Sequence, residues 1–115
     1  MSYEVSQSWV DVLNERARQQ DGEGRTAERD DAHVKGELAA AATCYATHAV
    51  VSARLRAQGF SAERIEALSA DAATPRAWPF AADWWKPGSP RRDLVKAAAL
   101  LLAEIERLDR AGART

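Results

Sequence analysis

The amino-acid sequence predicts an all-α fold: a helical bundle of three main helices, one short helix and an ordered aromatic loop. Three long segments carry apolar residues at spacings of three and four, the period of an amphipathic helix. Glycine- and proline-containing stretches separate them, and no segment alternates apolar and polar residues as a half-buried strand does. A chain of 115 residues can bury one modest core, so we expect a single domain over residues 1–115.

The first predicted helix covers residues 3–20. Its apolar residues recur at helical spacing and predict one buried stripe, with Trp9 in the core. The sequence Asp21-Gly22-Glu23-Gly24 then ends the helix. The stripe consists of Val5, Trp9, Val12, Leu13 and Ala17.

A long second helix is predicted to start at Asp30 or Asp31, either of which suits an N-cap, and to continue to Gln58. Gly59 provides its C-terminal stop. The run Ala39–Ala42 carries no bulky side chains, so we expect a neighbouring helix to pack closely against it.

A short third helix is predicted over residues 62–69, with Ser61 at its start, and residues 70–88 form the aromatic loop. Ser89 suits the N-cap of the last helix, and a proline follows it at the first helical position. This helix runs from about residue 90 to 110. Its predicted buried face consists of Leu94, Val95, Ala98, Leu101, Leu102, Ile105 and Leu108.

The net charge and the cysteine content limit the kinds of function that this protein can have. The net charge of −1 argues against broad nucleic-acid binding through a basic face. The single cysteine, Cys44, excludes an internal disulfide and fits a reducing cytoplasm. The N-terminus is polar, unlike a signal peptide, and the apolar run 97–103 is too short to span a bilayer. We therefore expect a cytoplasmic protein that does not bind membranes.

Three of the four tryptophans lie within eight residues of the aromatic loop. Trp78 is expected to be structural, whereas the adjacent Trp84 and Trp85 can face different ways, one into the core and one towards a base or a partner. Arg91 and Arg92 follow at a helix start, where guanidinium groups and free backbone N–H groups can bind an anion. A solvated arginine-rich surface is the alternative. A π-rich element beside an anion-binding one suits a nucleotide.

A polar stripe is predicted on the second helix. At about 100° per residue, five polar residues fall on one face, where imidazole and carboxylate groups can meet a divalent cation or a ligand. Glu37 is the strongest candidate, because an acid on an alanine-rich face costs free energy unless it is paired. Capping is the alternative explanation for Asp30, and the core or an interface for Cys44 and His48. The five residues are Asp30, His33, Glu37, Cys44 and His48.

Four segments form a recognisable pattern: Glu15-Arg16-Ala17-Arg18-Gln19, Asp30-Asp31-Ala32-His33-Val34-Lys35-Gly36-Glu37-Leu38, the Trp78-Pro79-Phe80 and Trp84-Trp85-Lys86-Pro87 block, and Asp93-Leu94-Val95-Lys96-Ala97 with Ala103-Glu104-Ile105-Glu106-Arg107-Leu108-Asp109-Arg110. The pattern resembles a family of small bacteriophage and prophage proteins and is more distantly similar to MazG-like all-α nucleotide pyrophosphohydrolases. In those enzymes acidic helices hold magnesium on a triphosphate. The resemblance implies Asp30, Glu37 and Asp93 as Mg²⁺ ligands. Here Lys96 stands where a second acid would follow Asp93, and fewer acids weaken magnesium binding.

Three functions follow from these observations. The favoured hypothesis is a phage nucleotide-binding protein without catalysis or cofactor, which sequesters a cyclic nucleotide or cyclic ADP-ribose type immune signal of the host. The alternative is a MazG-like nucleoside triphosphate pyrophosphohydrolase that uses Mg²⁺. A second alternative is a protein-interaction module that docks through the tryptophan loop.

The expected ligand is a nucleotide-type small molecule, and the exposed apolar content also predicts self-association, with a homodimer as the default. A phage-encoded chain would act in the host cytoplasm. The candidate ligand-binding residues are Arg18, His33, Glu37, Trp84, Trp85, Lys86, Arg91, Arg92 and Lys96.

Overall fold

The computed structural model describes residues 4–113. Within this range it contains five α-helices, one short 3₁₀ helix and no β-strand, which confirms the all-α class. None of these helices combines the length and apolarity needed to cross a membrane. The helices are α1 (Gln7–Gly22), α2 (Ala27–Asp31), α3 (Glu37–Ala57), α4 (Ala62–Asp71) and α5 (Pro90–Arg110), and the 3₁₀ helix covers Ala82–Trp84.

Helix α5 is the centre of the fold. It packs most extensively against α3 and also contacts α1 and α2, while α4 rests mainly on α3. Small side chains form much of the contact between α3 and α5, as the alanine run predicted, because Ala41 and Ala42 are buried in the same core cluster as Ala97 and Ala103. Leu38, Leu100, Cys44, Tyr45 and Trp78 complete this core cluster.

The predicted start signals of α4 and α5 and the predicted stop signal of α3 are confirmed. The hydroxyl groups of Ser61 and Ser89 accept hydrogen bonds from the backbone N–H groups of Arg64 (3.1 Å) and Arg92 (3.2 Å). Each bond satisfies one of the unpaired donors that a helix N-terminus leaves. Gly59 follows α3 with φ of +97°, a conformation that glycine adopts without steric cost.

The predicted second helix is in fact two helices, so the prediction of one continuous helix from Asp30 or Asp31 is wrong. Thr26, rather than either aspartate, caps α2 by accepting a hydrogen bond from the Arg29 backbone N–H group (3.3 Å). The chain leaves helical geometry after α2, and α3 begins after Gly36, whose φ is +78°. A left-handed residue cannot continue a right-handed helix, and glycine takes this conformation readily.

The buried face of α1 is polar, which contradicts the predicted apolar stripe. Trp9 is 52% exposed and Leu13 57% exposed, whereas Glu15, Arg16 and Gln19 are buried. The helical spacing of the apolar residues identified a real apolar face of α1, but that face lies outside the contact with α5. The polar residues are buried instead because each finds a hydrogen-bond partner there. The helix itself begins at Gln7. Residue 3 of its predicted span lies outside the described range.

The predicted buried face of α5 is also only partly correct. Val95 is buried, and Ala98 and Leu102 are half-buried. The remaining four predicted residues are exposed, and alanines and charged residues take their place in the interior. Because α3 and α1 both pack on α5, its smaller side chains face the neighbouring helices. The exposed residues, which we call the outer stripe, are Leu94, Leu101, Ile105 and Leu108.

Candidate functional site

A buried carboxylate organises the contact between α1 and α5. The side chain of Glu15 is 0% exposed and accepts two hydrogen bonds from the Arg18 guanidinium, from Nε (2.8 Å) and Nη2 (2.7 Å). Gln19 Nε2 donates a third (3.0 Å), and Arg92 Nη2 donates a fourth. Burial alone would raise the pKa of Glu15, but Arg18 and Arg92 outweigh it and hold the pKa below its usual value. Glu15 therefore positions both arginines.

These arginines line a basic recess, a cavity of about 290 Å³ whose wall includes Arg18, Arg91, Arg92 and Ser89. The side chains of Arg18 and Arg92 remain 46% and 43% exposed despite their bonds to Glu15. Each guanidinium carries five N–H donors, so both keep donors for a further anion.

Arg91, the third arginine of the basic recess, is paired with Asp11, with 2.8 Å between Nη2 and Oδ2. Its side chain is 63% exposed. An exposed ion pair contributes little free energy, so a stronger anion can displace Asp11 at small cost.

Lys96 adds a half-buried ammonium group near the basic recess. Its Nζ donates to the backbone carbonyl of Lys86 (2.5 Å) and lies 5.3 Å from the centre of the Tyr45 ring. Burial and the neighbouring charge of Arg92 lower the pKa of Lys96, and the attraction of Glu15 only partly opposes them. A bound anion would relieve this unfavourable environment.

An aromatic recess of about 230 Å³ lies next to the basic one, lined by Glu23, Arg25, His33, Phe80 and Trp84 among others. Glu23 forms an ion pair with Arg18, so this pair separates the two recesses. The Arg25 guanidinium stacks 4.1 Å from the centre of the Phe80 ring. Its Nε atom is buried and faces Glu23 Oε1 at 3.6 Å, an ion pair slightly longer than a hydrogen bond.

The three tryptophans of the loop divide between the core and the surface, as expected. Trp78 is buried in the core cluster, and its indole N–H donates to the Ala81 carbonyl (3.0 Å). Trp85 packs against that cluster, 4.8 Å from the Tyr45 ring centre. Trp84 is 39% exposed in the aromatic recess.

Lys86 reinforces the position of the loop beside α3. Its backbone N–H donates to the Tyr45 hydroxyl (3.3 Å), and that hydroxyl donates to the Trp84 carbonyl (3.4 Å). The Lys86 ammonium lies 5.5 Å from the centre of the Trp84 ring. Among the tryptophans of the loop, Trp84 is the one that lines the aromatic recess.

Glu37 has a local role at the start of α3. Because α3 begins at Glu37, its carboxylate accepts a hydrogen bond from the Lys35 backbone N–H group (2.6 Å) and contacts His33 Nδ1 (3.3 Å). Burial tends to raise the pKa of Glu37, but the backbone hydrogen bonds and His33 hold it below its usual value. Glu37 was singled out on the expectation of a helix that continues from Asp30; because α3 begins at Glu37, pairing with His33 and the preceding backbone accounts for this acid.

The three acids proposed as magnesium ligands are each engaged elsewhere. Asp30 is fully buried and paired with Arg16, at 3.2 Å between Oδ2 and Nη2. Burial raises the pKa of Asp30 although Arg16 opposes the shift. Glu37 pairs with His33, and Asp93 accepts from the Gly88 backbone N–H group (2.7 Å). Among residues 4–113, no three histidine, cysteine or acidic side chains form a group that could hold a metal ion.

The sequence pattern named three arginines that line the basic recess but not the residues that position them. Glu15, Gln19, Arg25 and Tyr45 were not among the candidates. The run of polar residues around Glu15 within a helix was the available signal, but it does not reveal which polar residues become buried.

Comparison with known proteins adds no further constraint. The chain shows no significant match to a protein-family model, to a curated protein or to a solved structure. The geometry of the basic and aromatic recesses is therefore the basis for the proposed function.

Proposed function

We propose that this protein binds a nucleotide-type phosphorylated small molecule without cleaving it. The phosphate groups would lie in the basic recess, and the base would stack on Trp84 in the aromatic recess. The observation that carries the proposal is that Arg18 and Arg92 both pair with one buried carboxylate, that of Glu15, beside an exposed indole ring.

Charge and geometry both support an anionic ligand. Arg18, Arg91, Arg92 and Lys96 bring four positive charges to the region, while Glu15, Asp11 and Glu23 are its paired acids. Arginine donors match the planar, multidentate acceptors of a phosphate group. Base stacking on an aromatic ring typically contributes about 1–3 kcal/mol.

The alternative, magnesium-dependent pyrophosphohydrolysis, would require carboxylates free to bind metal. Glu37 and Asp93 would have to leave their present partners to do so, and Asp30 is fully buried beside Arg16. Binding without cleavage is therefore the better-supported proposal. In the phage setting that the sequence resemblance implies, the ligand would be a cyclic nucleotide or cyclic ADP-ribose type signal in the host cytoplasm, held away from its receptor.

Self-association belongs to the same proposal. The outer stripe leaves four large apolar side chains of α5 exposed, and Trp9 and Leu13 of α1 add to the exposed apolar surface. Exposed apolar surface of this kind is typical of protein–protein contacts. We therefore propose a homodimer.

The test is calorimetric titration together with mass spectrometry after heat release. The purified protein is incubated with nucleoside triphosphates, cyclic dinucleotides and cyclic ADP-ribose isomers, with and without Mg²⁺. Recovery of an intact bound ligand without Mg²⁺ supports the proposal. Formation of nucleoside monophosphate and pyrophosphate only with Mg²⁺ would instead establish the pyrophosphohydrolase, and no binding of any compound would refute both.

Matched variants locate the site. Arg92→Ala should weaken binding at least about tenfold, because a hydrogen bond to a charged group contributes about 1.5–3 kcal/mol. Trp84→Ala should weaken binding by a similar factor if the base stacks there. Arg54→Ala removes an exposed arginine of α3 outside both recesses and should leave the affinity unchanged.

A further inference from the structure

A separate cavity of about 800 Å³ lies between α3, α4 and the segment that leads into α5. Its volume is within the range of small-molecule sites, about 300–1,000 Å³. Apolar groups, including Ile65, Trp85 and Pro87, form much of its wall. Two of its lining residues, His48 and Ser69, are hydrogen-bonded to each other.

The imidazole of His48 connects a hydroxyl group to a carboxylate. Its Nε2 atom lies 2.7 Å from Ser69 Oγ, and its Nδ1 atom lies 2.5 Å from Asp93 Oδ2. Asp93 is fully buried, and its other oxygen accepts from the Gly88 backbone N–H group. The three residues come from α4, α3 and α5, so only the tertiary fold brings them together.

The partners determine the direction of each hydrogen bond. A carboxylate oxygen accepts, so Nδ1 of His48 carries the hydrogen that faces Asp93. In this tautomer Nε2 has a free lone pair, and the Ser69 hydroxyl donates its proton to that atom. This is the arrangement in which imidazole can act as a general base towards a serine.

We propose that Ser69, His48 and Asp93 form a hydrolytic site for carboxylic esters with a small apolar acyl group. Ser69 is the nucleophile and His48 the proton carrier. Asp93 is a positioning residue, since it holds the imidazole and does not touch the substrate. The apolar wall fits the acyl chain.

The reaction proceeds in two balanced steps. Ser69 Oγ bonds to the ester carbonyl carbon while its proton moves to His48 Nε2, and the carbonyl π electrons move to oxygen. When the carbonyl re-forms, the bond to the alkoxy group breaks, and the departing oxygen takes the proton from His48. A solvent water then attacks the acyl-serine, gives its proton to His48, and releases the acid as Ser69 Oγ recovers that proton.

The first test is covalent labelling with a fluorophosphonate, which an activated serine attacks with loss of fluoride. Tryptic mass spectrometry should place the label on Ser69 of the folded wild-type protein and find none after heat denaturation. A serine with only a structural hydrogen bond would not be labelled. Absence of label, or label on Ser52 or Ser89 instead, overturns the proposal.

The second test is the hydrolysis of p-nitrophenyl butyrate. Ser69→Ala and His48→Gln should each lower kcat/KM at least about a hundredfold, whereas Ser8→Ala on exposed α1 should leave it unchanged. Asp93→Asn should lower kcat with little change in KM, because it favours the wrong imidazole tautomer. Hydrolysis that persists in folded Ser69→Ala overturns the proposal, as does a wild-type rate no higher than that of free imidazole.

Thermal unfolding and circular dichroism confirm that each variant is folded. Ser69 is the least risky position, because it lies near the end of α4 and is only half-buried. If His48→Gln or Asp93→Asn does not fold, the labelling result and Ser69→Ala decide the matter.

Discussion

Helix α5 buries two interfaces of opposite character. Towards α3 it presents the alanine interface, in which Ala97 and Ala103 share a buried cluster with Ala41 and Ala42. Towards α1 and α2 lies the charged interface, which we define as Glu15, Arg16, Gln19, Asp30, Arg92 and Glu106.

The two interfaces should differ in how well they tolerate amino-acid substitutions. Apolar contacts are non-directional and require only matching volume. Buried charged groups require every partner, because a charge left without one carries its full desolvation cost. The alanine interface therefore stabilises the fold, while the charged interface orients the arginines of the basic recess.

The largest effect on stability should come from breaking the charged interface at its most buried pair. Asp30→Ala should lower the free energy of unfolding by about 1.5–3 kcal/mol, because Arg16, whose side chain is 7% exposed, loses its buried carboxylate and keeps only the partly exposed Glu106 and a backbone carbonyl. Urea unfolding measures the change. Asp31→Ala is the control, since Asp31 is 48% exposed, and should cost at most about 1 kcal/mol. Equal losses in the two variants would contradict the distinction between buried and exposed pairs.

Overpacking the alanine interface should have the next largest effect. Ala103→Leu should lower the free energy of unfolding by about 1–3 kcal/mol, because Ala103 is 0% exposed and the close-packed helices must move apart. Ala53→Leu on the exposed face of α3 should change it by no more than about 0.5 kcal/mol. A stable Ala103→Leu protein would show that α3 and α5 leave space between them.

The pH dependence of unfolding separates two acids of the charged interface. The pKa of Glu15 is lowered in the folded protein, so its contribution is complete above its ordinary value of 4.5 and is lost as the pH falls through the folded pKa. Glu15→Gln should therefore lose less stability than wild type between pH 6 and pH 3.

Asp30 should show the opposite sign, because burial raises its pKa above 3.8. Its protonation favours the folded state, so Asp30→Asn should lose stability more steeply than wild type over the same pH range. Urea unfolding at each pH provides both comparisons, and identical slopes for the two variants would rule out this assignment of signs.

The smallest effect on stability should come from the outer stripe, which belongs to neither interface. The double variant Leu101→Gln, Ile105→Gln should change the free energy of unfolding by no more than about 0.5 kcal/mol per site. Light scattering after size-exclusion chromatography should nevertheless detect a loss of the proposed dimer. Val50→Gln is the control, because Val50 is an exposed valine of α3 outside the stripe. A monomeric wild-type protein would refute the dimer.

Some parts of the fold could be predicted because their causes are local. The serine at 89 and the proline after it start α5 at the predicted residue, and the helix ends at Arg110 as expected. Trp84 lines the aromatic recess while Trp85 packs against the core, a difference that the adjacency of two residues in an aromatic loop allowed us to expect. Arg91 and Arg92 of the basic recess were also predicted, since two adjacent arginines at a helix start can be recognised from the sequence alone.

The tertiary structure alone decided which faces became buried. Periodicity selects the apolar face of α1, yet the fold buries Glu15 and exposes Trp9. Part of the pairing of this polar face lies within α1, but Glu15 also pairs with Arg92 and Arg16 with Glu106, which lie 77 and 90 residues away along the chain. The same holds for Ser69, His48 and Asp93, which no spacing in the sequence connects. The sequence by itself determined the helices and where most of them start and stop, because those signals act over a few residues. Only the tertiary structure decided which distant charges pair, because that pairing depends on how the helices are arranged in space.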